Sequence, residues 1–186
     1  MKIFTLHKSL LIPTRLILAL LFVFTAVQCS KDSPDEIHEH ETINRVTLTV
    51  TGADGTATDY TWNEGETEPT INLSANTTHR VSISFFDASD ASDVENITEE
   101  VIEEADEHFV FYEVSSASLN ISSASNDVQD SDGIDININT EWAAAGASSG
   151  VVRTYLIHGP TSKTGSTRSS FGGGTDVEID FPVAIQ

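Results

Sequence analysis

From Asn44 onward the apolar residues fall on alternate positions, and this period-two rhythm constrains the fold more than any other feature of the chain. Val46, Leu48 and Val50 alternate with Thr47, Thr49 and Thr51, which is how a strand with one buried and one wet face reads. The same rhythm returns around Thr58, Tyr60 and Trp62, at Ile71 and Leu73, and through Val81, Ile83 and Phe85. It returns again over Phe109 to Val114, at Leu119 and Ile121, at Ile134, Ile136 and Ile138, and over Val151 to Ile157 and Val177 to Ile185. Ala143 to Gly150 and Gly172 to Gly174 read as loops, and Pro182 marks the last strand as an edge or a bulge.

One segment breaks the rhythm. Val94, Ile97, Val101 and Ala105 are spaced by three and four, which predicts a helix of about three turns over 93–107 with Asp93 as its N-cap. A chain of short strands with a single helix predicts a mainly β fold, an antiparallel, Ig-like β-sandwich of about seven to nine strands with one helix insertion. Its inward face should include Val46, Leu48, Val81, Ile83, Phe85, Ile136, Val177 and Ile179.

The domain is preceded by a segment of a different kind. Lys2, Lys8 and Arg15 lead into an uncharged apolar run from Leu16 to Val27, which ends at Gln28, Cys29 and Ser30. About a dozen apolar residues are too few for a bilayer span, which needs roughly 20; the pattern is that of a signal peptide. Cys29 is the single cysteine and stands at the expected cleavage point, so it reads as a lipid attachment site. The expected organisation is a lipoprotein signal peptide over 1–28, a lipidated N-terminus and flexible acidic tether over 29–43, and one sandwich domain over 44–186. The expected location is a membrane surface, with lipid on Cys29 as the contact to the membrane.

Charge narrows the partners. The chain carries nine Lys and Arg against 29 Asp and Glu, a formal charge of −20, and three of the nine basic residues precede Cys29. The remaining six, Lys31, Arg45, Arg80, Arg153, Lys163 and Arg168, are too scattered to make the basic footprint that a polyanion requires, so nucleic acid is not an expected partner. Enzymatic chemistry finds no support either. The one G-x-S-x-G match, Gly146 to Gly150 around Ser148, leads into the strand pattern of Val151 to Ile157 and not into the helix that a nucleophile elbow needs, and no Lys-Ser or Lys-Thr follows the Gly172 to Gly174 run.

The residues that could bind something are acidic groups and histidines. Glu95, Glu99, Glu103 and Glu107 would form a like-charged row on the predicted helix, with Glu100 and Glu104 beside it and no basic residue to relieve it. If the helix runs one residue further, Glu104 and His108 lie four apart on one face, a spacing from which carboxylate and imidazole share a transition-metal ion. His158 and His79 are candidates to complete such a site, and either is equally readable as an ordinary buried histidine. His38 and His40, in the tether, could form a second and weaker zinc or copper site; a solubilising tether with two incidental histidines explains them equally well. Asp127, Asp130, Asp132 and Asp135, around Gly133, have the oxygen ligands of a calcium loop without EF-hand spacing; an Asp-rich turn explains them equally well.

Three stretches, Asn96 to Tyr112 (NITEEVIEEADEHFVFY), Tyr155 to Gly165 (YLIHGPTSKTG) and Gly172 to Val183 (GGGTDVEIDFPV), together with the start CSKDSPDE, resemble a family of small lipoproteins of Bacteroidota. Many of these carry the description type 1 periplasmic binding fold superfamily protein. That description implies a two-lobed binder built of βα units, whereas the strand pattern here implies a sandwich. In that phylum an acidic stretch after the lipidated cysteine resembles an export signal to the outer face of the outer membrane, and Ser30, Lys31, Asp32, Asp35 and Glu36 are compatible with one. The function expected from all of this is a lipid-anchored, non-enzymatic binding module that captures a small ligand or a divalent transition metal for an outer-membrane transporter. The alternative is a structural or adhesion domain without a ligand.

Mass spectrometry of the membrane fraction is expected to find the mature N-terminus at Cys29 with added acyl mass, and a Cys29→Ala protein should leave the membrane. A Cys29→Ala protein that stays fully membrane-bound would refute lipid anchoring.

Overall fold

Two sheets face each other across one apolar interior in the computed structural model, which describes residues 42–186. The expected signal peptide, Cys29 and the His38 and His40 pair lie outside these residues. The strands are β1 (Arg45–Thr51), β2 (Ala57–Asn63), β3 (Ile71–Leu73), β4 (Thr77–Asp87), β5 (Glu95–Asn96), β6 (His108–Ser115), β7 (Leu119–Ser123), β8 (Asn139–Ala144), β9 (Ser148–His158) and β10 (Gly174–Ile185), with one helix, α1 (Thr98–Glu103). The first sheet runs β2-β1-β4-β8-β7, with β5 on the edge of β4, and the second runs β3-β10-β9-β6. The fold is therefore mainly β and is a sandwich, with ten strands among the described residues where about seven to nine were expected. Every pairing is antiparallel except that of β3 with β10. No helix among the described residues is long and apolar enough to cross a membrane.

The alternation explains the interior directly. All eight residues expected on the inward face are buried, alongside Leu156, Phe181 and Val183. Trp142, fully buried, is the largest of the core side chains. It sits edge-on to Tyr112 with ring centroids 5.8 Å apart and donates from Nε1 to Thr140 Oγ1 at 2.9 Å, which satisfies its one polar atom.

Three expectations need correction. The helix is six residues long rather than three turns, and it starts after Ile97 with no side-chain cap. Asp93 does not cap it: its N–H closes a turn onto Asp90. The reason is competition from the open side of β4. Glu95 and Asn96 pair with Asp87 and Phe86, and Thr98 Oγ1 both accepts from the Phe85 N–H at 2.8 Å and donates to the Phe85 carbonyl at 3.2 Å. Buried backbone groups must find partners, and this segment supplies them to β4. The like-charged row dissolves as a result, because only Glu99 and Glu103 of its four members remain helical.

Ile134 to Ile138 is not a ladder strand, although Ile136 and Ile138 are buried as expected. Val110 of β6 donates its N–H to the Ile136 carbonyl, and Ile83 of β4 donates to the Ile138 carbonyl, each at 3.0 Å, so the segment crosses from one sheet to the other. The regular strand follows it: β8 takes Ala143 and Ala144, which shortens the expected loop over 143–150 to 145–147. Pro182, finally, lies in an interior strand. β3 joins β10 only from Val183 onward, so at Pro182 the outer side of β10 is locally an edge and the missing N–H leaves no gap in the ladder. The bulge in β10 occurs elsewhere, between Thr175 and Val177.

Thr98→Val should lower the unfolding free energy by about 1–3 kcal/mol, since it strands the buried N–H and carbonyl of Phe85 while keeping the side-chain volume. Equilibrium urea denaturation measures this; an unchanged midpoint would show that α1 is not pinned through Thr98.

Candidate metal centre

At one end of the sandwich the inward row of the second sheet turns from apolar to polar. Along β9, Val152 and Leu156 belong to the shared interior, and the residue two beyond Leu156 is His158. Its cross-strand partner in β6 is His108, two before Val110 on the same inward row. The pairing register alone thus places two imidazoles side by side, their ring centroids 4.9 Å apart at 29°. His108 is fully buried, and the His158 side chain is 11% exposed.

The third member arrives by an irregularity. Val177, Ile179, Phe181, Val183 and Ile185 face inward along β10, so strict alternation would turn Asp176 to solvent. The register shift between Thr175 and Val177 inserts Asp176 as an extra residue and re-aims it. Its carboxylate is only 4% exposed, with Oδ2 3.9 Å from His158 Nδ1. Among the described residues, His108, His158 and Asp176 are the one group of three or more His, Cys, Asp or Glu side chains that could hold a metal ion, and their ligand atoms lie within 4.8 Å of one another. Tetrahedral zinc with bonds of 2.0–2.1 Å would set its ligand atoms about 3.4 Å apart, so the group must draw in by roughly an ångström to close on an ion.

The surroundings hold the two rings in place. His108 Nδ1 lies 3.2 Å from the Glu104 carbonyl oxygen, and a carbonyl only accepts, so Nδ1 carries the proton and Nε2 presents its lone pair. The turn that supplies this carbonyl is itself anchored. Lys163 Nζ donates to the Ala105 carbonyl at 2.6 Å, Gly159 N–H donates to the Glu107 carbonyl at 2.7 Å, and Ser131 N–H donates to Asp106 Oδ1 at 2.8 Å. Behind His158 the chain passes Gly173 at φ +64°, where a Cβ would stand 2.3 Å from the His158 carbonyl oxygen. Only glycine allows both that conformation and that approach.

Of the metal candidates among the described residues, His108 and His158 converge and Glu104 and His79 do not. Glu104 meets His108 through its main-chain carbonyl rather than its carboxylate, because the helix ends at Glu103 and the C-cap at Glu104 leaves the helical conformation, which removes the i, i+4 relation. His79 is buried in the other sheet, opposite Trp142, with Nε2 3.3 Å from the Ser74 carbonyl oxygen. The aspartates of the 127–135 loop serve the loop itself. Asp127 accepts from the N–H groups of Asn137 and Asn139, Asp130 accepts from Asp132, Ile134 and the Lys163 ammonium, and Asp135 accepts from Gln129. The lysine holds the Asp130 carboxyl below its ordinary range, whereas burial pushes that of Asp127 up. Asp176 was missed because the alternation assigns it to solvent; a bulge leaves no mark in the pattern.

The chain matches no family model, no curated protein and no solved structure.

Burial holds the His108 imidazole below its ordinary value of 6.5, against the raising effect of its bond to Glu104. The folded protein therefore takes up this proton at a lower pH than the unfolded chain does, and between the two values the unfolded state binds more protons. Stability should accordingly fall as pH drops below about 6.5, with a slope of up to about 1.4 kcal/mol per pH unit from this group. Denaturant unfolding of wild type and His108→Gln at pH 7.5, 6.0 and 5.0 measures it; the slope over this range should flatten in the variant.

Proposed function

We propose that the chain is a lipid-anchored, non-enzymatic binding module of the cell envelope that holds a divalent transition metal at His108, His158 and Asp176. The observation that carries this reading is the convergence of two imidazoles and one carboxylate, from three strands, at an otherwise apolar end of the interior. Two histidines with one carboxylate form a protein ligand set for zinc that leaves a fourth position open. Imidazole favours zinc and copper over calcium and magnesium, and those two stand at the high-affinity end of the divalent series. The neutral state favoured for buried His108 is the one a metal needs.

The anchoring part of the proposal rests on the apolar leader and on Cys29. The resemblance to Bacteroidota lipoproteins adds the outer membrane as the site of action, and an outer-membrane transporter is the proposed recipient of the ion. An open coordination position suits such a handover, because an acceptor ligand can enter there.

Calorimetric titration of the purified protein with zinc and with copper at pH 7 should show one tight site that weakens below about pH 6.5, where imidazole protonation competes. His108→Ala, His158→Ala and Asp176→Asn should each weaken it by more than about 100-fold, beyond the usual cost of losing an outer-sphere partner. His79→Ala, and replacement of His38 and His40 together, should leave it in place. If the wild-type protein binds neither metal, the centre does not exist, and a structural or adhesion role replaces this reading.

A further inference from the structure

We propose that Glu107 is a positioning residue for this centre: its carboxylate orients the His158 ring so that Nδ1, not Nε2, faces the ion. The inference rests on the metal reading above and deepens it. The two nitrogens of His158 look in different directions. Nδ1 lies 3.9 Å from Asp176 Oδ2, inside the three-residue group, while Nε2 lies 3.5 Å from Glu107 Oε2. A carboxylate can only accept, so this contact favours the tautomer with the proton on Nε2 and leaves the Nδ1 lone pair toward Asp176.

Glu107 is well placed for that task. Its own carbonyl accepts the Gly159 N–H at 2.7 Å, which ties the residue to the chain immediately after His158, and its side chain is 43% exposed, at the rim. The two histidines then follow one rule by two devices. His108 donates its Nδ1–H to a main-chain carbonyl and turns Nε2 to the ion; His158 directs Nε2 toward a carboxylate 3.5 Å away and turns Nδ1 to the ion. Metal-binding histidines characteristically donate their second nitrogen to a carbonyl or carboxylate in this way, which fixes the ring and raises its basicity. The mixed Nε2 and Nδ1 ligation is a consequence specific to this arrangement, and it is spectroscopically visible.

Zinc is the probe, added to the purified full chain of wild type, Glu107→Ala and Glu107→Gln. Long-range ¹H–¹⁵N spectra of the zinc-loaded wild type should show His108 bound through Nε2 and His158 bound through Nδ1 with Nε2 protonated. Glu107→Ala should weaken zinc binding by about 10–100-fold. Glu107→Gln, which keeps an acceptor oxygen, should recover much of the loss and preserve the Nδ1 ligation. If zinc binds wild type but His158 ligates through Nε2, or if Glu107→Ala binds as tightly as wild type, Glu107 has no positioning role while the metal centre stands. If wild type binds no zinc, the centre and this inference fall together.

Discussion

The structure depends on one shared interior, made where the inward rows of two sheets meet. Phe85, Leu48 and Ile83 from one sheet and Phe181, Leu156 and Val183 from the other are all almost inaccessible to water, as is Trp142. Burial of such side chains stabilises a fold by roughly 1.5–3 kcal/mol each, and an interior built this way tolerates little freedom in register. A one-residue slip of any strand would turn its whole inward row to solvent. That intolerance gives the pairing of His108 with His158 its precision: the register that buries Val110 and Leu156 also sets the two rings face to face.

The open side of β4 shows how the remaining backbone is accommodated. Its length is covered in succession by β8, by the Ile138 carbonyl, by the Thr98 hydroxyl and by β5. Four unlike devices thus complete one edge, and the predicted helix gives up its first turn to provide two of them. The turn after α1 then carries the Glu104 carbonyl to His108 and Glu107 to His158. The accommodation of a strand edge and the assembly of the candidate centre are therefore parts of one local arrangement.

A buried imidazole, a second that is 11% exposed and a carboxylate that is 4% exposed are a costly way to end an apolar interior. Leucine or valine at these positions would continue the rows already set by Val110, Leu156 and Val177. Asp176 in particular reaches the site only because β10 departs from regular pairing, and bulges that re-aim a side chain recur beside functional sites. Asp130 offers a contrast within the same molecule: its buried carboxylate is answered by the Lys163 ammonium at 2.8 Å and by backbone N–H groups, which is the arrangement of a structural turn.

The sequence alone determined the sandwich and the greater part of its interior, because period two is a local property: each strand states its own inward face, as Val46, Leu48, Val81, Ile83, Phe85, Ile136, Val177 and Ile179 do. It also marked His108 and His158, though for the wrong reason in one case, since the partner of His108 is a carbonyl that appears only when the helix stops. Tertiary structure decided everything that depends on which strand lies beside which. It set His158 opposite His108, put His79 in the other sheet, spent Asp127 and Asp130 on backbone donors, and shortened the helix in favour of β4. It also turned Asp176 inward through a bulge, which arises from pairing between strands and has no counterpart in the pattern of either strand alone.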